Sequence, residues 1–156
     1  MGAALACLGV GLLSRDVLLL SIQADPFRRI QEGTKQYEYR RRFANRPTAA
    51  FLYVSSPVKA VCGFVEFGQP IVGSPRAIGE VAEGERPGSG AMIEQFMAGV
   101  RQGYAIPVLS FRETPAVSLD ALRHAFAPFA APQSYIILDK QPDLLEYLVR
   151  HTGITP

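Results

Sequence analysis

The sequence predicts an α+β fold, a small β-barrel decorated with short helices. Three observations lead there. Short runs of continuously apolar or alternating residues, punctuated by Gly, Pro and Ser, dominate residues 17–67 and return at 103–111. Apolar residues at helical spacing are confined to short segments, several of them toward the C-terminal end. The 156 residues, 48% hydrophobic and without internal repeats, suit one core.

The elements follow in order. Residues 17–23, a continuous apolar run ending in polar residues, read as a buried first strand. Asp25-Pro26 reads as an N-cap followed by proline at the first helical position, and Gly33 as the terminating C′ glycine. The helix between them, 26–32, places Phe27 and Ile30 on one face. From Gln36 alternation takes over: Gln36, Glu38, Arg40 and Arg42 face one way, and Tyr37, Tyr39, Arg41 and Phe43 the other. The two tyrosines are expected to pack on the barrel core with their hydroxyls at the surface. Strands at 51–55 and 60–67 flank the turn Ser55-Ser56-Pro57. Residues 68–90, rich in Gly, Pro, Glu and Ser, read as a long surface loop with a weak helix near 75–82, serving as a lid or a tether. A helix over 91–99 shows Met92, Ile93, Phe96 and Val100 as its apolar face. In the strand 103–111, Pro107 argues for an edge position or a bulge. Ser118 caps a helix opening at Leu119, residues 135–138 close the sheet, and 142–151 form a final helix.

Charge is uneven. The chain is only +2 overall, yet residues 28–46 hold seven basic residues against Glu32 and Glu38, a net +5, which leaves −3 elsewhere. A local basic patch points to an anionic ligand, nucleic acid or nucleotide first. The alternative is a solvated strand whose arginines discourage edge-to-edge pairing. Cys7 and Cys62 are isolated, and His124 and His151 sit in different segments outside any metal motif. No metal or cofactor is therefore expected, and free thiols suit the cytoplasm. No Ser-His-Asp order, P-loop or G-x-G-x-x-G occurs. The apolar run 3–13 lacks a basic n-region and is too short to span a bilayer, so no membrane is expected. Residues 1–16 read as a poorly ordered extension or the product of an upstream start, with a cleaved signal or anchor as the alternative, and 17–156 as a single domain.

Gly33, Lys35, Glu38 and Arg40 form a G-x-K-x-x-E-x-R pattern. With the segments 51–61, 103–106 and 132–135 in order behind it, the chain resembles the ASCH domain over roughly residues 17–138. The resemblance implies a small β-barrel with a PUA-like fold. It also implies a choice of activities, because such folds host several. Some ASCH-like proteins are amidohydrolases acting on acetylated cytidine nucleosides, using the motif lysine, a threonine three positions on and a distant glutamate. Lys35 matches the lysine, Glu38 stands in place of the threonine, and Glu83 and Glu85 are approximate candidates for the glutamate. Other members are linked to RNA cleavage through the motif lysine and hydroxyl residues, for which Ser134 or Tyr135 would serve here.

Three roles stay open for Lys35, Glu38 and Arg40. They form a surface ion pair of little energetic weight, or an anion or carbonyl site oriented by the glutamate, or a catalytic group in which desolvation and Arg40 lower the lysine pKa. Arg42 extends the basic strand. Tyr53, Ser55 and Ser56 offer a ring to stack on a base and hydroxyls to reach its edge, and Gln133 and Ser134 an amide and a hydroxyl. The duller readings are a half-buried strand tyrosine and a self-satisfied turn. Binding of RNA or a nucleotide ranks first. A hydrolase using Lys35 and Glu38 ranks second, and a protein-interaction domain in transcription-related assemblies third.

Overall fold

The computed structural model describes residues 15–156. The N-terminal extension lies outside them except for Arg15 and Asp16, and so does Cys7. Asp16 already opens the first strand, β1 (Asp16–Ile22), and pairs with Arg46.

Among the described residues, seven strands form one mixed sheet curled into a half-barrel, with five helices around it. Its path runs β2 (Tyr37–Arg40), β6 (Gly103–Ser118), β4 (Ala60–Phe67), β3 (Thr48–Val54), β1 and β7 (Tyr135–Ile137), and β5 (Ile71–Gly73) adds to β6. β1 and β3 run parallel, the other pairs antiparallel. A parallel pair needs a crossover, which α1 (Ala24–Gln31) and β2 supply. The continuous apolar run of β1 has a direct cause: both of its faces are covered. Val17 and Leu19 join Phe51, Phe64, Leu122 and Leu148 in one core. Leu18, Leu20 and Ile22 join Leu52, Phe67 and Ile106 in another. Strands buried on both faces lose the polar alternation of half-exposed ones.

The long strand β6 is the spine. Its first part pairs with β2 and β5, and from Val108 onward it pairs with β4. Pro107 sits opposite Tyr37 at the end of the β2 ladder. The β4 register slips beside it, Phe67 facing Val108 while Glu66 faces Ser110. Pro107 therefore lies at a bulge of an interior strand, where its missing N–H interrupts no ladder bond. Gly63 of β4 admits the Phe111 ring: a Cβ there would stand 2.6 Å from it.

Four expectations need correction. Helix α1 starts at Ala24 with Gln23 as its cap, and Asp25 lies inside the first turn, bonded to Arg28 at 2.7 Å and Arg29 at 3.1 Å. A first-turn carboxylate meets both the helix dipole and cations one turn on, and the Arg28 bond holds the Asp25 carboxyl below its usual range. The segment 68–90 is not a loop. It contains β5 and a full helix, α2 (Pro75–Glu85), whose Ser74 cap accepts from Ala77 N at 3.2 Å. The next helix, α3 (Gly90–Phe96), buries Met97 completely and leaves Met92 63% and Phe96 48% exposed. Its inner side is set by contact with α2, where Gly79 and Gly90 bring the backbones together. Ile93 and Met97, four apart, then face the small core of Tyr39, Ile78, Ala82 and Ala105. The fourth correction concerns Tyr39, whose hydroxyl is taken up by Glu85.

Gly33 takes φ +77°, as the C′ position requires. Ser118 caps α4 (Leu119–Ala125) with a 3.0 Å bond from Ala121 N. A 3-10 turn, Leu138–Lys140, leads into α5 (Pro142–Thr152), which ends on Gly153 at φ +73°. No helix of the described residues is long and apolar enough to cross a membrane.

Candidate functional site: two faces of the motif strand

Strand β2 carries the motif and separates two environments. On one side the glycine turn returns the chain so that Lys35 N donates to Arg29 O at 3.1 Å, and the lysine side chain, 5% exposed, points inward. Its Nζ lies 3.8 Å from Glu38 Oε1 and 4.8 Å from the centre of the Tyr39 ring. Burial pushes the ammonium below the usual lysine range, and the Glu38 charge opposes that shift. Glu85, at the end of α2, accepts from Gln36 N at 2.7 Å, Tyr37 N at 3.2 Å and the Tyr39 hydroxyl. Burial first, and the Glu85 bond second, raise the Tyr39 phenol well above its ordinary value. Lys35, Tyr39, Glu85, Arg29, Arg86 and Ser89 line a cavity of about 380 Å³ here. Glu83 is spent elsewhere, accepting from the backbone N–H groups of Gly88 and Gly90.

On the other side lies an open groove. Glu38, 8% exposed, accepts from Tyr39 N at 3.0 Å through Oε1, while Oε2 stands 3.5 Å from Arg40 Nη2 without a hydrogen bond. Arg40 in turn donates to Ser21 O at 2.8 Å, which ties the motif strand to β1. Two clefts meet at Arg40 and Phe96. The first, about 680 Å³, has Tyr53 buried in its wall, Ser55 and Ser56 from the turn after β3, and Gln133 opposite. The Ser21 hydroxyl donates to Pro132 O at 2.5 Å and Ser21 N to Ser134 O at 2.9 Å, which bring the 132–134 segment alongside. The second cleft, about 820 Å³, is lined by Arg40, Arg41, Arg42 and Arg101 and by no carboxylate. Ser134, Tyr104 and Tyr135 complete it.

The residues singled out in the sequence therefore fall in three places. Glu38, Arg40, Tyr53, Ser55, Ser56 and Gln133 share the first cleft. Arg42 and Ser134 line the second. Lys35 lies behind Glu38 in the separate cavity on the other side. Sequence reasoning missed Lys59, Phe96, Arg101 and Arg123, which line the clefts. Arg123 lies outside the segments that carry the resemblance, and Lys59, though within 51–61, has no role assigned to it. Lys59 has φ +52°, uncommon for a residue with a side chain and invisible in a single sequence. Among the described residues no three His, Cys, Asp or Glu gather as a metal site, and burial raises the Cys62 thiol.

No family model matches the sequence, and no curated protein does. Solved structures do. ASCH from Zymomonas mobilis is 23% identical, with a TM-score of 0.69 over 85% of this chain and 95% of that one. A serine-to-alanine mutant of the same organism's ASCH gives 22% identity and a TM-score of 0.70, covering 85% and 96%. A tyrosine-to-phenylalanine mutant gives 22% and 0.70, covering 85% and 98%. This α+β chain, a curled mixed sheet with its motif strand between two cavities, has the fold of an ASCH domain.

Proposed function

We propose that this protein is a binding module for RNA or a nucleotide, acting in the cytoplasm. The observation that carries the reading is the charge of the groove. Arg42, Lys59, Arg101 and Arg123 line it, and none of them makes an ion pair among the described residues. Phosphates are the natural partners of such cations, while hydroxyls and an amide suit base edges. Fluorescence anisotropy with a short single-stranded RNA tests it. If three phosphates are neutralised, affinity falls about 20-fold between 50 and 200 mM salt. Unchanged affinity in both Arg40→Ala and Arg42→Ala would remove the groove as the binding site.

A second reading, a small hydrolase acting on acetylated cytidine or on RNA, draws support from Lys35. Its buried ammonium is held below the lysine range with Glu38 at 3.8 Å and Glu85 across the Tyr39 ring, an arrangement suited to a basic or nucleophilic amine. Chromatography of both substrates after incubation with wild type and Lys35→Ala tests it. A folded Lys35→Ala protein with full turnover eliminates this role.

A further inference from the structure

We infer that the ligand of the groove is a single RNA strand of at least two nucleotides, bent over Phe96 so that one base stacks on that ring between the two clefts. The inference rests on the RNA reading above and names its substrate class.

The clefts divide the chemistry. The first offers hydroxyl and amide groups, Ser55, Ser56 and Gln133, which suit a base edge, with Lys59 and Arg123 beside them for one phosphate. The second is lined by four arginines and no carboxylate, and Arg42 and Arg101, exposed and without an ion pair among the described residues, suit backbone phosphate. A mononucleotide held in the first would leave Arg42 and Arg101 of the second without a partner. Arg40 and Phe96 line both, so a strand leaving the first cleft enters the second past them.

Phe96 is placed for this and for little else in the fold. It is 48% exposed at the end of α3, while its neighbour Met97 is fully buried. The backbone that carries the ring is fixed. Arg41 Nη1 donates to Phe96 O at 2.8 Å and to Ala98 O at 2.9 Å, pinning the helix end to the chain leaving β2. Beneath it Met97 packs so tightly on Gly103 that a Cβ there would stand 2.6 Å from its Sδ. An aromatic on a fixed backbone has only two side-chain torsions to order when a base stacks on it, and stacking is tolerant of sequence. Arg41 is thus a positioning residue for Phe96 as well as a wall of the second cleft.

Titration calorimetry at 50 mM salt with uridylate and adenylate RNAs of one, two and four nucleotides tests the inference. Affinity is expected to rise at least tenfold from one nucleotide to two. Phe96→Ala should remove most of that step and weaken the tetranucleotide about 5- to 100-fold, while Phe96→Trp retains it. Arg101→Ala should weaken the two- and four-nucleotide ligands more than the mononucleotide. Equal affinity at all lengths, or an equal loss at all lengths in Phe96→Ala, overturns the spanning strand and leaves nucleotide binding standing. No binding at any length by the folded wild type overturns the underlying reading as well. Thermal melting of each variant confirms that the exposed substitutions leave the fold intact.

Discussion

The two sides of the motif strand use the same residue types to opposite ends. In the cavity the buried charges are answered within the protein: Lys35 faces Glu38 and the Tyr39 ring, and Glu85 accepts three bonds. In the groove the arginines outnumber the carboxylates, and Arg42 and Arg101 face solvent. Burial explains the difference. A charge taken out of water must be matched by protein groups, whereas an exposed cation keeps its hydration until a ligand replaces it. The motif itself straddles this divide. Lys35 belongs to the cavity, Arg40 to the groove, and Glu38 touches both.

The comparison breaks most visibly at Glu85. Glu85→Ala strands the Tyr39 hydroxyl against the small core and should cost about 2 kcal/mol in a denaturant titration, with RNA affinity unchanged. A large loss of affinity without loss of stability would show that the cavity, too, serves the ligand. The groove gives the reverse pattern. Arg42→Ala combined with Arg101→Ala should weaken a tetranucleotide about tenfold and flatten its salt slope by about 1.4, with the melting temperature unchanged.

Alkaline pH sharpens the contrast further. Lys35 holds its proton less tightly in the folded than in the unfolded chain, so its contribution is present above the unfolded value of 10.5 and is lost as pH falls toward the lowered folded value. Tyr39 behaves oppositely. Its raised phenol contributes fully below the ordinary tyrosine value of 10 and loses that contribution as pH rises beyond it. Stability measured by urea unfolding should therefore rise as pH approaches 10 and decline above it. Lys35→Met should flatten the rise, and Tyr39→Phe should reduce the decline. The smallest effect is expected at Arg86. It lines the cavity but is exposed, and Arg86→Ala should change RNA affinity by less than about twofold, the scale of an exposed surface charge.

Much of the fold was legible because burial writes itself into pattern. The continuous apolar run of β1, the β4 strand at Ala60–Phe67 and the Ser118 cap all appear where local signals put them. The segment 68–90 misled because its glycines, read as loop formers, serve helix contact: Gly79 meets Gly90 where α2 and α3 cross. Asp25 misled because the same residue type stabilises a helix from the cap or from the first turn. Phe96 misled because helical spacing assigned it inward with Ile93 and Val100, whereas packing against α2 kept those two inward, added Met97 and left Phe96 exposed.

Local sequence was enough for β1, β4, the glycine turn and the order of charges along the motif, since these depend on neighbours a few residues apart, but not for β5 or the full length of β6. Tertiary structure alone decided which charges are spent. Glu85 reaches back from the end of α2 to residues 36, 37 and 39, and Arg41 crosses to the end of α3. Lys59 and Arg123 arrive at the groove from separate elements. Such partners lie tens of residues apart in the chain, and desolvation, which depends on everything that surrounds a group, decides whether a cation is structural or free to meet a ligand.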